Sequence, residues 1–340
     1  MKAVGYHKSL PISDPDSLFD CELPDPKPEG RDLLVQVKAV SVNPVDAKER
    51  KRAEPKPGKT KVLGYDAAGV VAGVGPDVTL FKPGDEVWYA GSIARPGTNS
   101  ELHLVDERIV GRKPKSLDFA HAAALPLTTM TAWEMLFDRL EVEPEMSEDD
   151  DTLLIVGAAG GVGSILTQIA RQLTGLTVIG TASREETREW LLKLGAHHVI
   201  DHSQPLSAEL KRIGIPQVSM VASLTHTDTH INEIVESLGP QGKLTLIDDP
   251  APFDIRLLKR KCLSLHWELM FTRSLFETPD MIRQHEILNE AADLVDAGTL
   301  KTTISDHFGV INATNLKRAH ALIESNKARG KIVLEGFQAS

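Results

Sequence analysis

Cysteine is scarce in this chain. Cys21 and Cys262 are the only two in 340 residues, far apart and with no CxxC spacing around either. That argues against a disulfide framework and against a cysteine-rich structural zinc site. Positive charge is also in short supply: 38 Lys and Arg face 48 Asp and Glu, a net charge of −10. A nucleic-acid binder usually presents a basic face, so nucleic acid is not the expected partner. No long apolar run exists either. The longest, around 153–170, is broken by glycines and cannot cross a bilayer as one helix. The first residues, Met1-Lys-Ala-Val-Gly-Tyr6, lack the apolar core and cleavage pattern of a signal peptide, which makes the cytoplasm the expected location. Nothing repeats at a fixed period, which excludes a solenoid. What remains, 41% apolar and 25% charged, is an ordinary globular composition at a length suited to about two domains.

The most informative stretch runs from Thr152 to Ala170. Leu153 to Val156 is short, apolar and suited to a strand buried on both faces. From Val162 the apolar residues fall at 162, 165, 166, 169, 170 and 173, one face of an α-helix. Between them lies a turn carrying Gly157, Ala159, Gly160, Gly161 and Gly163. Strand, glycine turn and helix N-terminus together form a dinucleotide cradle. Missing side chains let the backbone approach the pyrophosphate, and free N–H groups favour its charge. Ala159 departs from strict GxGxxG, so context carries the reading: strand before, amphipathic helix after, and a second strand from Leu176 to Thr181.

That second strand ends at Thr181-Ala182-Ser183-Arg184. An NAD-specific fold offers Asp or Glu here to the ribose 2′-hydroxyl. Ser183 and Arg184 suit a 2′-phosphate instead, so the expected cofactor is NADPH. Ser183 also fits an N-cap, with Glu186 three residues on closing a capping box.

Strands and helices then alternate. A helix runs from Glu185 to Leu194, a strand from His198 to Ile200, and His202 is expected near the adenine. Further helices are expected at 207–213, at 228–238 (closed by Gly239-Pro240), at 279–297 and at 313–325; strands at 218–222, 243–247 and 262–267. Asp248-Asp249 could be an acid/base pair, but hydride transfer does not need one. Glu141 to Asp151 is very acidic and reads as a solvated loop. The basic run from Lys48 to Lys61 reads as a solvated face, with phosphate attraction as the other reading.

Residues 1–125 are β-rich and punctuated by proline, as in a barrel-like or partly open β domain. Three pieces stand out: Ser41-Val-Asn43-Pro44-Val45-Asp46, Gly64-Tyr65-Asp66-Ala-Ala-Gly69, and Phe81-Lys-Pro83-Gly84-Asp85. Asp46, just after Pro44, fits a turn cap. In this order, ahead of the glycine turn, they resemble the medium-chain dehydrogenase/reductase superfamily. Ala122 to Trp133 and Gly330 to Leu334 extend the resemblance over essentially the whole chain. Its zinc-independent quinone oxidoreductase branch is the closer match, and within it the zinc-type alcohol dehydrogenase-like subgroup, with Leu265-His-Trp-Glu-Leu-Met-Phe-Thr-Arg273 as a further token.

The resemblance implies a Rossmann-type doubly wound parallel sheet at 127–299, and a GroES-like β-rich catalytic domain from 1–126 and 300–340. It implies a homodimer, with 262–267 pairing strands across it. Where zinc relatives supply a cysteine, a Ser or Thr and a His-Glu pair, this chain has Asn43, Val45 and Tyr65-Asp66. A carboxamide and a phenol are poor zinc ligands. Adjacent histidines such as His197-His198 point to opposite faces of a strand and chelate poorly. Hydrogen-bond donors must then stabilise the developing oxyanion, and Asn43 and Tyr65 take the family positions facing the nicotinamide. Thr131 and the glycine turn position that ring, and Lys331 lies near the cofactor; a solvated strand lysine is its other reading. Trp88, Trp267 and Phe271 are candidates for an apolar substrate wall, or for core packing. The expected activity is NADPH-dependent hydride transfer to quinones or α,β-unsaturated carbonyls without a catalytic metal. The alternatives are a zinc-dependent alcohol dehydrogenase and a non-catalytic NADPH-binding redox sensor.

Overall fold

A computed structural model describes residues 1–144 and 151–337. Most of the acidic connection, residues 145–150, lies outside the described residues. The chain forms two compact units, Met1–Met130 with Phe271–Ser340, and Thr131–Met270.

The second unit is built on six parallel strands in the order His198–Ile200, Thr177–Thr181, Thr152–Val156, Val218–Ser223, Leu238–Leu246, Ser264–Trp267. The chain enters at a central strand, winds outward on one side, then returns to wind outward on the other. This is a doubly wound, Rossmann-type sheet, whose direction reverses between Thr152–Val156 and Val218–Ser223. All five residues of Thr152–Val156 are buried, as the continuous apolar run predicts for a strand covered on both faces. Leu154, Val156, Ile179, Ile200, Val221, Leu244 and Leu246 form one core cluster. Each such side chain contributes about 1.5–3 kcal/mol by leaving water.

Three boundaries differ from the sequence expectation. Gly239-Pro240 do not separate a helix from a later strand: helix Thr227–Ser237 passes directly into strand Leu238–Leu246. The strand absorbs the misfit through a register shift and a left-handed Gln241 (φ 64°). Cys262, at φ 52°, closes the 3-10 turn Ile255–Lys261, so the last strand starts at Ser264. Residues 278–283 form successive tight turns, Met281 N–H to Thr278 O and Arg283 N–H to Asp280 O, so the next helix is Arg283–Asp296.

The first unit is a mixed β structure. Its spine is strand Asp32–Val42, which pairs antiparallel with Ala67–Val74, Leu102–Asp106 and Lys331–Glu335. The last of these brings the end of the chain beside Ser41 and Val42. The basic run is not all solvated. Arg50 of helix Pro44–Arg52 is fully buried and donates to Leu10 O and to Glu324. A guanidinium needs several acceptors, and a buried one is retained only where they are supplied.

Candidate active site

In the first unit, strand Asp32–Val42 ends at Asn43, which is the N-cap of helix Pro44–Arg52. Pro44 sits at the first helical position, where its missing N–H costs nothing. Asp46 accepts from the Asn43 N–H at 2.7 Å, the structural role expected of it. Burial pushes the Asp46 carboxyl up to about 7.

Asn43 is not a free donor. It is 1% exposed, its Nδ2 donates to Asp66 Oδ2 at 2.8 Å, and its Oδ1 accepts from Lys331 Nζ. Asp66 is the hub of this network. Ser41 Oγ donates to Oδ2 at 2.8 Å and Lys331 Nζ at 2.9 Å, while the Leu127 N–H donates to Oδ1 at 2.8 Å. Lys331 is 2% exposed, so the solvated reading fails: it is the counter-ion of Asp66 and also reaches Val42 O at 3.3 Å.

Tyr65 precedes this hub. Gly64 holds φ at 111°, and a Cβ there would lie 2.5 Å from Thr98 Oγ1, so the turn requires glycine. The Tyr65 ring is fully buried and meets Phe271 edge-on, with centroids 5.6 Å apart. Its hydroxyl has no hydrogen-bond partner among the described residues. Burial raises the phenol well above its ordinary range, so it keeps its proton. Trp88 is also fully buried, on strand Glu86–Tyr89.

The second unit carries the glycine turn. The Gly157 N–H donates to Thr181 Oγ1 at 3.0 Å, tying the turn to the neighbouring strand. Helix Gly161–Leu173 starts from Gly160 with no side-chain cap, which leaves first-turn N–H groups, those of Gly161 and Val162 among them, for a ligand. A Cβ on Gly163 would sit 2.3 Å from Ala158 O, so this glycine permits the close packing of helix on turn. A Cβ on Gly160 would have only Gly157 O, at 3.5 Å, within reach. The backbone at Gly160 is therefore unobstructed on that side, as the close approach of a phosphate requires. The Ala159 carbonyl accepts from Ser164 Oγ at 3.4 Å, and the Gly160 N–H donates to Gly157 O at 3.2 Å, so the turn closes with alanine at this position.

Ser183 and Arg184 follow strand Thr177–Thr181 and are both exposed. The N-cap of helix Glu185–Lys193 is Arg184, not Ser183, and no side-chain cap is made. Glu186 pairs with Arg184 at 3.0 Å instead of closing a capping box. His202 follows strand His198–Ile200. Its ring faces His230 edge-on at 6.4 Å, and burial lowers its pKa, which favours the neutral form. Thr131 is buried in helix Pro126–Trp133. Trp267, at 56% exposure, ends the edge strand Ser264–Trp267. Asp248 accepts from the N–H and Oγ1 of Thr227 at the start of helix Thr227–Ser237, a structural role that removes it from an acid/base pair.

Among the described residues, no group of three or more His, Cys, Asp or Glu is arranged to hold a metal. At the zinc-ligand positions the donors are spent or unsuitable. Both Asp66 oxygens already accept hydrogen bonds, an ammonium occupies the cation's place, and Tyr65 offers a protonated phenol. Zinc does not fit this donor set.

Two family models match the chain: an alcohol dehydrogenase GroES-like domain over residues 29–115 and a zinc-binding dehydrogenase over residues 194–334. A zinc-type alcohol dehydrogenase-like protein of Staphylococcus aureus is 40% identical over 339 residues, covering 98% of this chain and 99% of that protein. A Rhizobium etli CFN 42 crystal structure, given provisionally as a zinc-dependent alcohol dehydrogenase, is 62% identical with a TM-score of 0.96, over 100% of this chain and 99% of that one. The Escherichia coli quinone oxidoreductase complexed with NADPH is 26% identical with a TM-score of 0.85, over 98% of this chain and 100% of that one.

Proposed function

Since the chain belongs to the medium-chain dehydrogenase/reductase superfamily, alongside the zinc-type alcohol dehydrogenase-like proteins, we propose that this oxidoreductase reduces quinones or α,β-unsaturated carbonyls with NADPH and without a catalytic metal. The observation that carries the reading is the Tyr65 hydroxyl: buried, proton-bearing and without an acceptor. An orphaned buried donor costs about 1–3 kcal/mol. A substrate oxygen would satisfy it, most strongly as negative charge develops there.

Bound NADPH would supply the hydride. Gly161 and Val162 would hold its pyrophosphate through backbone N–H groups, with the side-chain-free Gly160 letting it approach; the Gly160 N–H itself closes the turn onto Gly157 O. Ser183 and Arg184 would meet the 2′-phosphate, His202 would face the adenine side, and Thr131 would orient the nicotinamide. On a conjugated acceptor, that hydride would leave an electron pair, and so developing negative charge, on the acceptor oxygen. Tyr65 would donate its hydrogen bond to that oxygen, and a proton from solvent would complete the quinol or the saturated carbonyl. Asn43 and Lys331 act with Asp66 to hold the Gly64–Asp66 turn, and Phe271 packs the apolar side of Tyr65. The donor chemistry supports this route over zinc: conjugated acceptors spread the charge and need less than a Lewis acid supplies.

A homodimer and cytoplasmic residence belong to the same reading. The edge strand Ser264–Trp267 is paired on one side only and carries exposed Trp267, with Leu269 close behind. Among the described residues no helix is long and apolar enough to cross a membrane.

A panel of quinones and enones with NADPH tests the activity. Tight NADPH binding without turnover of any acceptor would contradict it.

A further inference from the structure

A second buried acidic group lies in the other unit and takes no part in the chemistry above. Helix Pro126–Trp133 continues into a π-helical stretch, Glu134–Arg139, closed by the Leu140 N–H donating to Met135 O. In an α-helix, residues five apart point about 140° away from each other. The wider π turn brings Glu134 and Arg139 onto one side, with Arg139 Nη2 4.0 Å from Glu134 Oε2. Arg139 Nε also donates to Glu268 Oε2 at 2.8 Å. Glu134 is 1% exposed and Glu268 4%.

Two buried carboxyls thus share one guanidinium. Glu268 Oε1 is buried without another hydrogen-bond partner among the described residues, and the two carboxyls can hydrogen-bond each other only if one of them carries a proton. Ionising both would leave one negative charge uncompensated in the interior, which is costly. Burial and the Glu134 carboxylate accordingly hold the Glu268 carboxyl far above the usual carboxylate range. On the adjoining elements, Lys243 Nζ donates to Leu140 O at 2.7 Å and pairs with Glu141 at 2.8 Å, and the His266 ring, two residues before Glu268, shares a hydrogen bond with Ser264 Oγ at 3.3 Å.

The location gives this pair its meaning. Glu134 is three residues after Thr131, where the second unit begins, and Glu268 is two residues before Met270, where it ends. We infer that Glu134, Arg139 and Glu268 are positioning residues, a carboxyl pair sharing one proton that ties the two ends of this unit together and so fixes Thr131 for the nicotinamide. The inference rests on the proposed nucleotide site, not on the identity of the acceptor.

Its test is NADPH affinity by fluorescence titration, from neutral to strongly alkaline pH, for the wild type, Glu268→Gln and Glu134→Gln. Glutamine is the neutral isostere and keeps the hydrogen bond without needing the shared proton. The wild type should lose affinity on the order of tenfold once the proton is gone, within the range of couplings inside one hydrogen-bond and salt-bridge network. Glu268→Gln should match the wild type at neutral pH and hold its affinity at alkaline pH. Glu134→Gln serves equally if the first variant fails to fold. Melting temperatures without nucleotide, over the same range, judge the tie by itself: they should fall with rising pH in the wild type and fall less in Glu268→Gln. Parallel profiles for wild type and both variants, in affinity or in melting, would overturn the inference. If every acceptor fails while these profiles diverge, the proposed activity is wrong and the positioning unit stands. If NADPH fails to bind at any pH, both readings of the nucleotide site fall.

Discussion

Each unit buries a carboxylate cluster, and the two are compensated in opposite ways. Asp66, at 0% exposure, has a lysine of its own, two side-chain donors and a backbone N–H. Glu268 must share Arg139 with Glu134, so it keeps a proton. Both are deeply buried carboxyls; they differ in how many partners the fold supplies to each. One cluster, next to Tyr65 in the chain, meets its carboxylate with a lysine and further donors. The other responds to pH.

The comparison breaks most severely at Lys331. Lys331→Met removes one partner of the buried Lys331–Asp66 pair, and should cost about 3–5 kcal/mol of stability in denaturant unfolding. A loss under about 1 kcal/mol would mean that Ser41, Asn43 and Leu127 suffice without the ion pair.

The Asp66 cluster also marks where reading the sequence stops. The glycine turn and the alternation of strand and helix around it were legible because periodicity and turn chemistry are local. Asn43, Tyr65 and Lys331 were legible as candidates only through resemblance. What joins Asn43 and Lys331 was not, because Lys331 lies 265 positions from Asp66 and no local pattern records the contact. Glu134 and Glu268 escaped notice for a related reason. Their meeting with Arg139 depends on a π turn, and an α-helical wheel would place Arg139 on the wrong face. Ser183 illustrates a smaller failure. Its cap signature was genuine, but the helix starts one residue later, and Arg184 takes the N-cap while pairing with Glu186.

Stability against pH sharpens the contrast through a pair of opposite slopes. His320, on helix Ala313–Glu324 of the first unit, is fully buried with both ring nitrogens unpartnered, and burial lowers its pKa to about 3. The unfolded chain therefore binds a proton below about pH 6.5 that the folded chain refuses, and stability falls as pH falls. His320→Leu should gain on the wild type by about 1.4 kcal/mol for each pH unit below that point. Glu268 has the reverse sign. Its folded pKa is raised, so the folded chain holds the extra proton and the wild type loses stability as pH rises. Glu268→Gln should gain on the wild type in that direction. Denaturant midpoints at several pH values read both slopes; equal slopes for wild type and variants would remove the titrating groups from the explanation.

The smallest expected effect is at the surface. Arg184–Glu186 is an exposed pair, and such pairs contribute little to stability. Arg184→Ala should leave the melting temperature nearly unchanged while weakening NADPH about tenfold and NADH hardly at all, the selectivity expected when one charge-assisted contact to a 2′-phosphate is lost. Equal affinity for both cofactors before and after the substitution would remove Ser183 and Arg184 from cofactor choice.

The most direct measurement is NADPH oxidation by chelator-treated protein, with metal content assayed in the same sample, against 1,2- and 1,4-quinones and short and long enones, for the wild type and Tyr65→Phe. The predicted result is turnover without zinc in the wild type and a loss of about 10²–10³-fold in kcat for Tyr65→Phe, the size seen when one oxyanion donor is removed. Tightly bound zinc whose removal abolishes turnover, or a Tyr65→Phe variant with the wild-type kcat, would contradict it.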